Sequence, residues 1–288
     1  MRSLPIGVPK LMVSTLASGD VRKWVGDKDI LMLNSIVDIA GINRISRQIL
    51  LSAAAAMAGM VLHRGAALSD DKPLVAATMF GVTTPCVQRA RQVLEAAGYE
   101  VLVFHATGNG GRAMESLIRD GLIAGVLDIT TTELADELVG GVLSAGPQRL
   151  TAAAECGVPQ VVSVGATDMV NFWAPETIPE KFRGRKFHRH NQSVTLMRTT
   201  ADETAKLGRE MASKVAASTG PAAILLPLQG VSAIDRAGES FDDAAARQAL
   251  FNNIRQHHGN VELIELDHHI NDDAFAATAA RKLIELMQ

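Results

Sequence analysis

The chain alternates continuous apolar runs with longer stretches in which apolar residues recur every three or four positions. From residue 73 onward the alternation is regular. Runs at 74–80, 99–104, 125–129, 160–164, 222–226 and 261–266, predominantly apolar and rich in β-branched residues, read as buried strands. Residues 84–97, 113–119, 147–156, 201–217, 242–257 and 273–287 read as helices. Thr83, Thr84 and Pro85 mark one helix start, and Gly98 and Gly157 mark stops. Strands joined by helices of this length imply right-handed βαβ crossovers and a mainly parallel sheet. The expected fold over 73–288 is a doubly wound α/β domain, three-layered in the Rossmann or flavodoxin manner.

Residues 1–70 differ. A strand at 9–15, an apolar run at 30–39 and an alanine-rich helix at 43–63, capped by Asn43, make up the whole segment. Two strands and one helix do not bury enough surface to stand alone. The segment must therefore pack on the rest of the chain, on another copy, or on something missing. Its helix carries small side chains from Ala53 to Met60, which suit close packing on another element or a second copy. A homo-oligomer, most simply a dimer, is expected. Residues 69–72 form a polar hinge.

Composition narrows the class. Of 288 residues 47% are hydrophobic and 20% charged, ordinary values for a folded protein. The net charge of −3, without a basic block, argues against nucleic acid or an anionic membrane as partner. No apolar run approaches the roughly 20 residues of a membrane span and no leader pattern opens the chain, so a cytoplasmic protein is expected. Cys86 and Cys156 read as buried free thiols.

The chemistry centres on the stretch from His105 to Glu115, a strand exit followed by three glycines and a helix start. Glycines permit close backbone approach, a helix N-terminus presents free amides, and Arg112 adds a planar fork. Gly108, Gly110, Gly111 and Arg112 are accordingly expected to hold a small anionic ligand. In open α/β sheets ligands bind beyond the carboxyl ends of the strands. Other polar residues expected there are Thr83, Thr84, Asp128, Thr131, Glu133, Asp168, Asn171, Ser232, Asp235, Asp267, His268 and Asn271. Asp128, Asp168, His190 and Asp235 are candidates for acid–base or metal-assisted chemistry. Between Asn171 and residue 201 runs a long connection containing Phe187–Asn191 and Arg198, expected to serve as a lid or binding loop. No nucleophile elbow, HExxH or P-loop motif occurs, and no metal site is assigned.

Several longer stretches resemble a known family. They are GVPKLMVST-ASGD from Gly7, VDIAGINRIS from Val37, GNGGRAME from Gly108, VLDITTTELADEL from Val126, GPQRL from Gly146, HN-SVTLMRTT from His190, GVSAID from Gly230 and HIND-FA from His269. Together they resemble the Tm-like ATP-binding family, which includes the tomato mosaic virus resistance protein and many uncharacterised bacterial proteins. The resemblance implies a self-associating two-domain α/β protein that binds ATP with Mg²⁺. It further implies an additional N-terminal glycine loop ahead of this chain, which makes residues 1–70 the C-terminal remnant of a first α/β domain. Ser14, Ser18, Gly19, Asp38, Gly41 and Asn43 then become the surviving half of a nucleotide site. Three functions fit: a nucleotide-binding protein acting on a phosphorylated or carboxylated small molecule, a non-catalytic ligand- and protein-binding regulatory module, or a metal-dependent hydrolase or lyase.

Overall fold

A computed structural model describes residues 1–63 and 72–288. The chain forms two compact units, Met1–Asp71 and Lys72–Gln288. Residues 69–71 of the expected hinge lie outside the described residues.

In the first unit β1 (Leu11–Val13) and β2 (Leu31–Leu33) pair in parallel, with helix α1 (Arg22–Val25) between them and α2 (Arg44–Leu62) after them. Lys10 is buried and its ammonium is fully occupied, donating to Asp29 and to the carbonyls of Pro5 (2.6 Å) and Val8 (2.9 Å). Asn43 caps α2 as expected. Its Oδ1 accepts the amides of Ile45 and Ser46, both at 2.9 Å, and Ser46 Oγ accepts the Asn43 amide at 2.8 Å. This reciprocal box satisfies amides that the first helical turn leaves over. Of the small-residue stretch Ala53 to Met60 only Ala53 is buried, while Leu51, Val61 and Leu62 face outward. By length and composition α2 could also cross a membrane, a test that a core helix passes equally. A search for unbroken apolar runs misses this, because Gln48, Ser52 and the alanines dilute the run without adding charge.

The second unit is built on a six-stranded parallel sheet. Its strands are β3 (Leu74–Met79), β4 (Glu100–His105), β5 (Gly125–Thr130), β6 (Gln160–Gly165), β10 (Ala222–Pro227) and β11 (Glu262–Leu266), ordered β11-β10-β6-β5-β3-β4. The helices are α3 (Thr84–Ala96), α4 (Asn109–Arg119), α5 (Thr132–Val139), α6 (Ala152–Cys156), α7 (Ala201–Ala216), α8 (Ala244–His257) and α9 (Asp273–Leu286). Alternate residues of each strand feed opposite layers, so both faces must be apolar. Val75, Ala77, Leu127, Val161 and Leu225 pack with α3 and α9. Ala76 and Val126 meet α4 and α6, and Val162, Ile224 and Leu226 meet α7 and α8. The fold is the expected doubly wound α/β type. The strand order reverses between β3 and β5, which places a crevice beyond their carboxyl ends.

Four local expectations are corrected. The connection from Asn171 to residue 201 is not structureless: it holds an antiparallel sheet of β7 (Met169–Phe172), β8 (Phe187–Arg189) and β9 (Thr195–Arg198), ordered β7-β9-β8. Its strands are three or four residues long and lack a period to detect. Helix α4 begins at Asn109, inside the glycine stretch, because helix propensity is outweighed there by packing. The helix read over 147–156 shrinks to α6, since residues 146–151 form an irregular turn around Arg149. Cys86 is buried, its thiol pushed up to about 12 by burial, but Cys156 is exposed at a helix end.

The glycines of α4 are there for contact. Gly108 has φ +83°, a conformation that strains other residues, and a Cβ there would lie 2.6 Å from the Ser144 carbonyl. A Cβ on Gly110 would lie 1.9 Å from the His105 carbonyl. Gly110→Ala should therefore destabilise the protein by roughly 1–3 kcal/mol although alanine favours helix. Urea unfolding checks this, and an alanine variant as stable as the parent would refute the steric account.

Candidate functional site

The crevice at the strand reversal is bounded by Phe80 to Thr83 after β3, His105 to Arg112 after β4, and Thr130 to Glu133 after β5. Behind it lies a buried charge cluster. Asp128 occupies the interior of β5, on the face that Val126 turns to α4. Next to it the β5–β6 register slips, between Asp128 and Thr130. Thr78 Oγ1 donates to Asp128 Oδ1 at 2.7 Å and accepts the Thr130 amide at 2.9 Å. The Arg149 guanidinium, 1% exposed, grips Asp128 through Nη1 and Nη2 and reaches Glu133 through Nε at 2.6 Å. Glu115 lies 3.6 Å from the same guanidinium. Burial works against that charge, but Asp128, then Glu133 and Glu115, outweigh it and hold the Arg149 pKa well above its ordinary value.

Arg149 is the one fully buried cation among these carboxylates; the half-exposed Arg119 also lies 3.6 Å from Glu115, and backbone amides share the rest of the negative charge. Glu115 accepts the amides of Leu150 (2.6 Å), Thr151 (3.3 Å) and Ala152 (2.8 Å). Glu133 Oε1 accepts the amides of Gly108 (2.6 Å) and Gly111 (3.1 Å). The glycine turn thus holds a carboxylate from its own chain, and this is why Gly111 has no side chain: a Cβ would lie 2.2 Å from Glu133 Oε2. Two amides of the expected anion loop are engaged from within. Arg112 points outward, donating to the Ser144 carbonyl at 3.0 Å and to Asn109 Oδ1.

A second cluster sits beyond β6 and β10. Asp168 and Asp235 are both buried. Ser232 Oγ donates to Asp168 Oδ2 at 2.8 Å, while Asp168 Oδ1 has no partner. Asp235 Oδ1 accepts from Arg198 (3.1 Å) and Arg247 (2.9 Å). Burial first, then the Asp235 charge, pushes Asp168 up to about 7 against the pull of Arg198. Burial raises Asp235 as well, despite the two arginines. Asp136 is a third such carboxyl. Burial raises it to about 7 although the Asn171 side chain (2.6 Å) and the amides of Asn171 and Leu143 donate to it.

The four candidate catalytic residues are therefore not brought together. Asp128 belongs to the Arg149 cluster, Asp168 and Asp235 to the Arg198 cluster, and His190 is exposed with its ring over Gly81 at the rim. Among the described residues no three His, Cys, Asp or Glu side chains converge as a metal site. Thr83 meets Thr130, hydroxyl to hydroxyl at 2.8 Å, and Asn271 ties β11 to the rim by donating to the Val82 carbonyl at 3.0 Å. In the first unit Ser14, Ser18, Gly19, Asp38, Gly41 and Asn43 follow the carboxyl ends of β1 and β2. Ser14 Oγ accepts the Leu16 amide, and Ser18 Oγ donates to the Thr15 carbonyl. Ser35, unmarked in the sequence, lies among them, buried and with its hydroxyl unpartnered. Arg149 and Glu115 were also unassigned. Arg149 falls in the stretch 147–156 that reads as a helix, and nothing local announces its burial.

With this geometry in place, comparison with known proteins fixes the relationship. Family models for the N-terminal and C-terminal domains of an uncharacterised protein family, UPF0261, match residues 1–66 and 72–287. The chain belongs to this family. A UPF0261 protein of Clostridium tetani is 54% identical over all of this chain and 72% of its own length. One from Rhizobium meliloti is 52% identical over 97% of this chain and 70% of its own. The tomato protein described as ToMV resistance protein Tm-1 is 46% identical over 99% of this chain and 39% of its own length. The Tm-like resemblance thus resolves to UPF0261, with Tm-1 among the relatives.

Replacing Arg149 by methionine leaves three buried carboxylates without their cation and should cost about 3–5 kcal/mol, measured by chemical denaturation. Loss below about 1 kcal/mol would show that the amides alone compensate them.

Asp136 and Asp168 carry a second expectation. Folded, each keeps its proton up to about 7; unfolded, only to about 3.8. Between those values the folded state binds more protons, so their contribution to stability is lost as pH rises through that window. Urea midpoints measured from about pH 4.5 to 8 should fall with pH, and Asp136→Asn should flatten the fall. An unchanged slope in that variant would exclude Asp136 as its source.

Proposed function

We propose that this UPF0261 protein is a cytoplasmic ligand-binding α/β protein whose ligand is a nucleotide or another small phosphorylated or carboxylated molecule. The observation that carries the reading is the reversal of strand order between β3 and β5, with the exposed cationic or titratable groups Arg112, His105 and His190 around it. Glu133 takes two amides of the glycine turn, but a helix's first turn carries more donors than two. Arg112 supplies the charge-matched fork.

ATP with Mg²⁺ is the member of this class that the family resemblance implies. The unpartnered, buried Ser35 hydroxyl at the carboxyl end of β2 fits such a group, as does the exposed Asp38 carboxylate beyond it. Mg²⁺ bound with a nucleotide needs only one or two protein carboxylates.

A binding or regulatory role without turnover is the second reading. It is favoured by the distribution of the candidates over three places, Asp128 with Arg149, Asp168 and Asp235 with Arg198, and His190 at the rim, so that no one site holds all four. The outward apolar side chains of α2 support self-association as part of either role.

Titration calorimetry of the full chain with Mg-ATP, pyrophosphate and citrate tests the proposal. At least one should bind; pyrophosphate or citrate bound at the rim should be weakened by Arg112→Ala about 10–150-fold, the equivalent of roughly 1.5–3 kcal/mol, whereas Mg-ATP held by Ser35 and Asp38 should be unaffected. No binding of pyrophosphate or citrate by the parent chain, or unchanged affinity for them in the variant, would reject the rim as the site.

A further inference from the structure

The three-stranded excursion carries an open cavity of about 440 Å³ that neither the rim nor the charge clusters use. Ile178 and Phe187 give it apolar walls, Arg183, Arg189 and Glu180 give it charge, and Thr195 gives it a hydroxyl. Alternation along β8 explains the arrangement. Phe187 and Arg189 share one face, while His188 turns the other way, its ring 6.1 Å from that of Phe241 and its Nδ1 3.2 Å from Ser240 Oγ.

Two features point to a ligand. Thr195 is 3% exposed and its hydroxyl has no hydrogen-bond partner, whereas buried hydroxyls in folded proteins nearly always have one. Phe187, in contrast, is 37% exposed, a large aromatic surface left open in a cavity wall. The pairing register adds the head-group geometry. Arg189 lies directly opposite Thr195 across the antiparallel β8–β9 pair, so their side chains are neighbours on one face. Arg183 is already paired with Glu180 at 2.6 Å, and Arg189 makes a weak 3.4 Å bond to the Asn191 carbonyl. Arg189 is therefore the cation available to a ligand.

We propose that this cavity is a second ligand site, for a small monocarboxylate with an aromatic or branched aliphatic body. The carboxylate meets the Arg189 guanidinium and the Thr195 hydroxyl, and the body lies against Phe187 and Ile178. The volume falls in the range of small-molecule pockets and suits a ligand of single-ring size. The site is independent of the rim, since none of its residues belongs to the crevice between β3 and β5.

Calorimetric titration of the full chain with phenylacetate and 4-methylpentanoate, beside neutral phenylacetamide, tests the assignment. At least one acid should bind, with the amide at least tenfold weaker than phenylacetate. Thr195→Val and Arg189→Gln should each weaken the acid about tenfold or more while melting near the parent temperature. Arg112→Ala should leave acid binding unchanged, which separates this site from the rim. Failure of both acids to bind, equal binding of phenylacetate and its amide, or unaltered affinity in both cavity variants would overturn the proposal. The acid–amide comparison needs no variant and stands even where one fails to fold.

Discussion

A single buried guanidinium organises the centre of the second unit. Arg149 binds Asp128 on β5 and Glu133 on α5, and lies near Glu115 on α4, in a region without solvent to screen any of them. Removing such a cation leaves uncompensated charge, so the elements carrying the carboxylates are held to one another. One buried cation cannot balance three anions, and the remainder falls to the half-exposed Arg119 beside Glu115 and to oriented amides. That requirement explains the local backbone. The turn at 146–152 is shaped to aim three amides at Glu115, with Leu150 held at φ +67°, a conformation unusual for a side chain of its size. The glycines at 108 and 111 let the start of α4 close over Glu133.

The same arrangement limits what the crevice can do. A glycine turn at a helix start is an anion receptor, and here part of its capacity is used by an internal carboxylate. On the proposed reading, recognition of an external anion falls to groups that point outward, Arg112, His105 and His190. His190 arrives from the excursion, not from the sheet. Arg198 anchors that excursion: Nε donates to the Phe241 carbonyl at 2.9 Å and Nη2 to Asp235 at 3.1 Å. The two charge clusters therefore have parallel roles, one fixing the glycine turn and the other fixing the strands that deliver His190 and carry the Phe187 cavity.

Much of this was legible in the sequence. The six strands of the parallel sheet were readable because each is a short, predominantly apolar and β-branched run between turn or helix signals. The cap at Asn43 is local, decided by a side chain two and three residues from the amides it serves. The glycine–helix junction was also legible as a place where backbone amides meet an anion.

Which anion they meet was not legible. Glu133 is more than twenty residues from Gly108, and in the sequence Arg149 sits unremarked in a stretch that reads as a helix. Only folding brings them within hydrogen-bond reach, and only burial makes their charges decisive. The excursion escaped detection for a related reason. Its strands are too short to carry a period, and they exist because β9 is held between two partners. The sequence by itself determined the layers, the parallel sheet and the positions of the turns, since those follow from local periodicity and capping. The tertiary structure alone decided which polar residues became buried ion pairs and which stayed available to a ligand. That choice depends on the dielectric surroundings and distant partners that packing supplies.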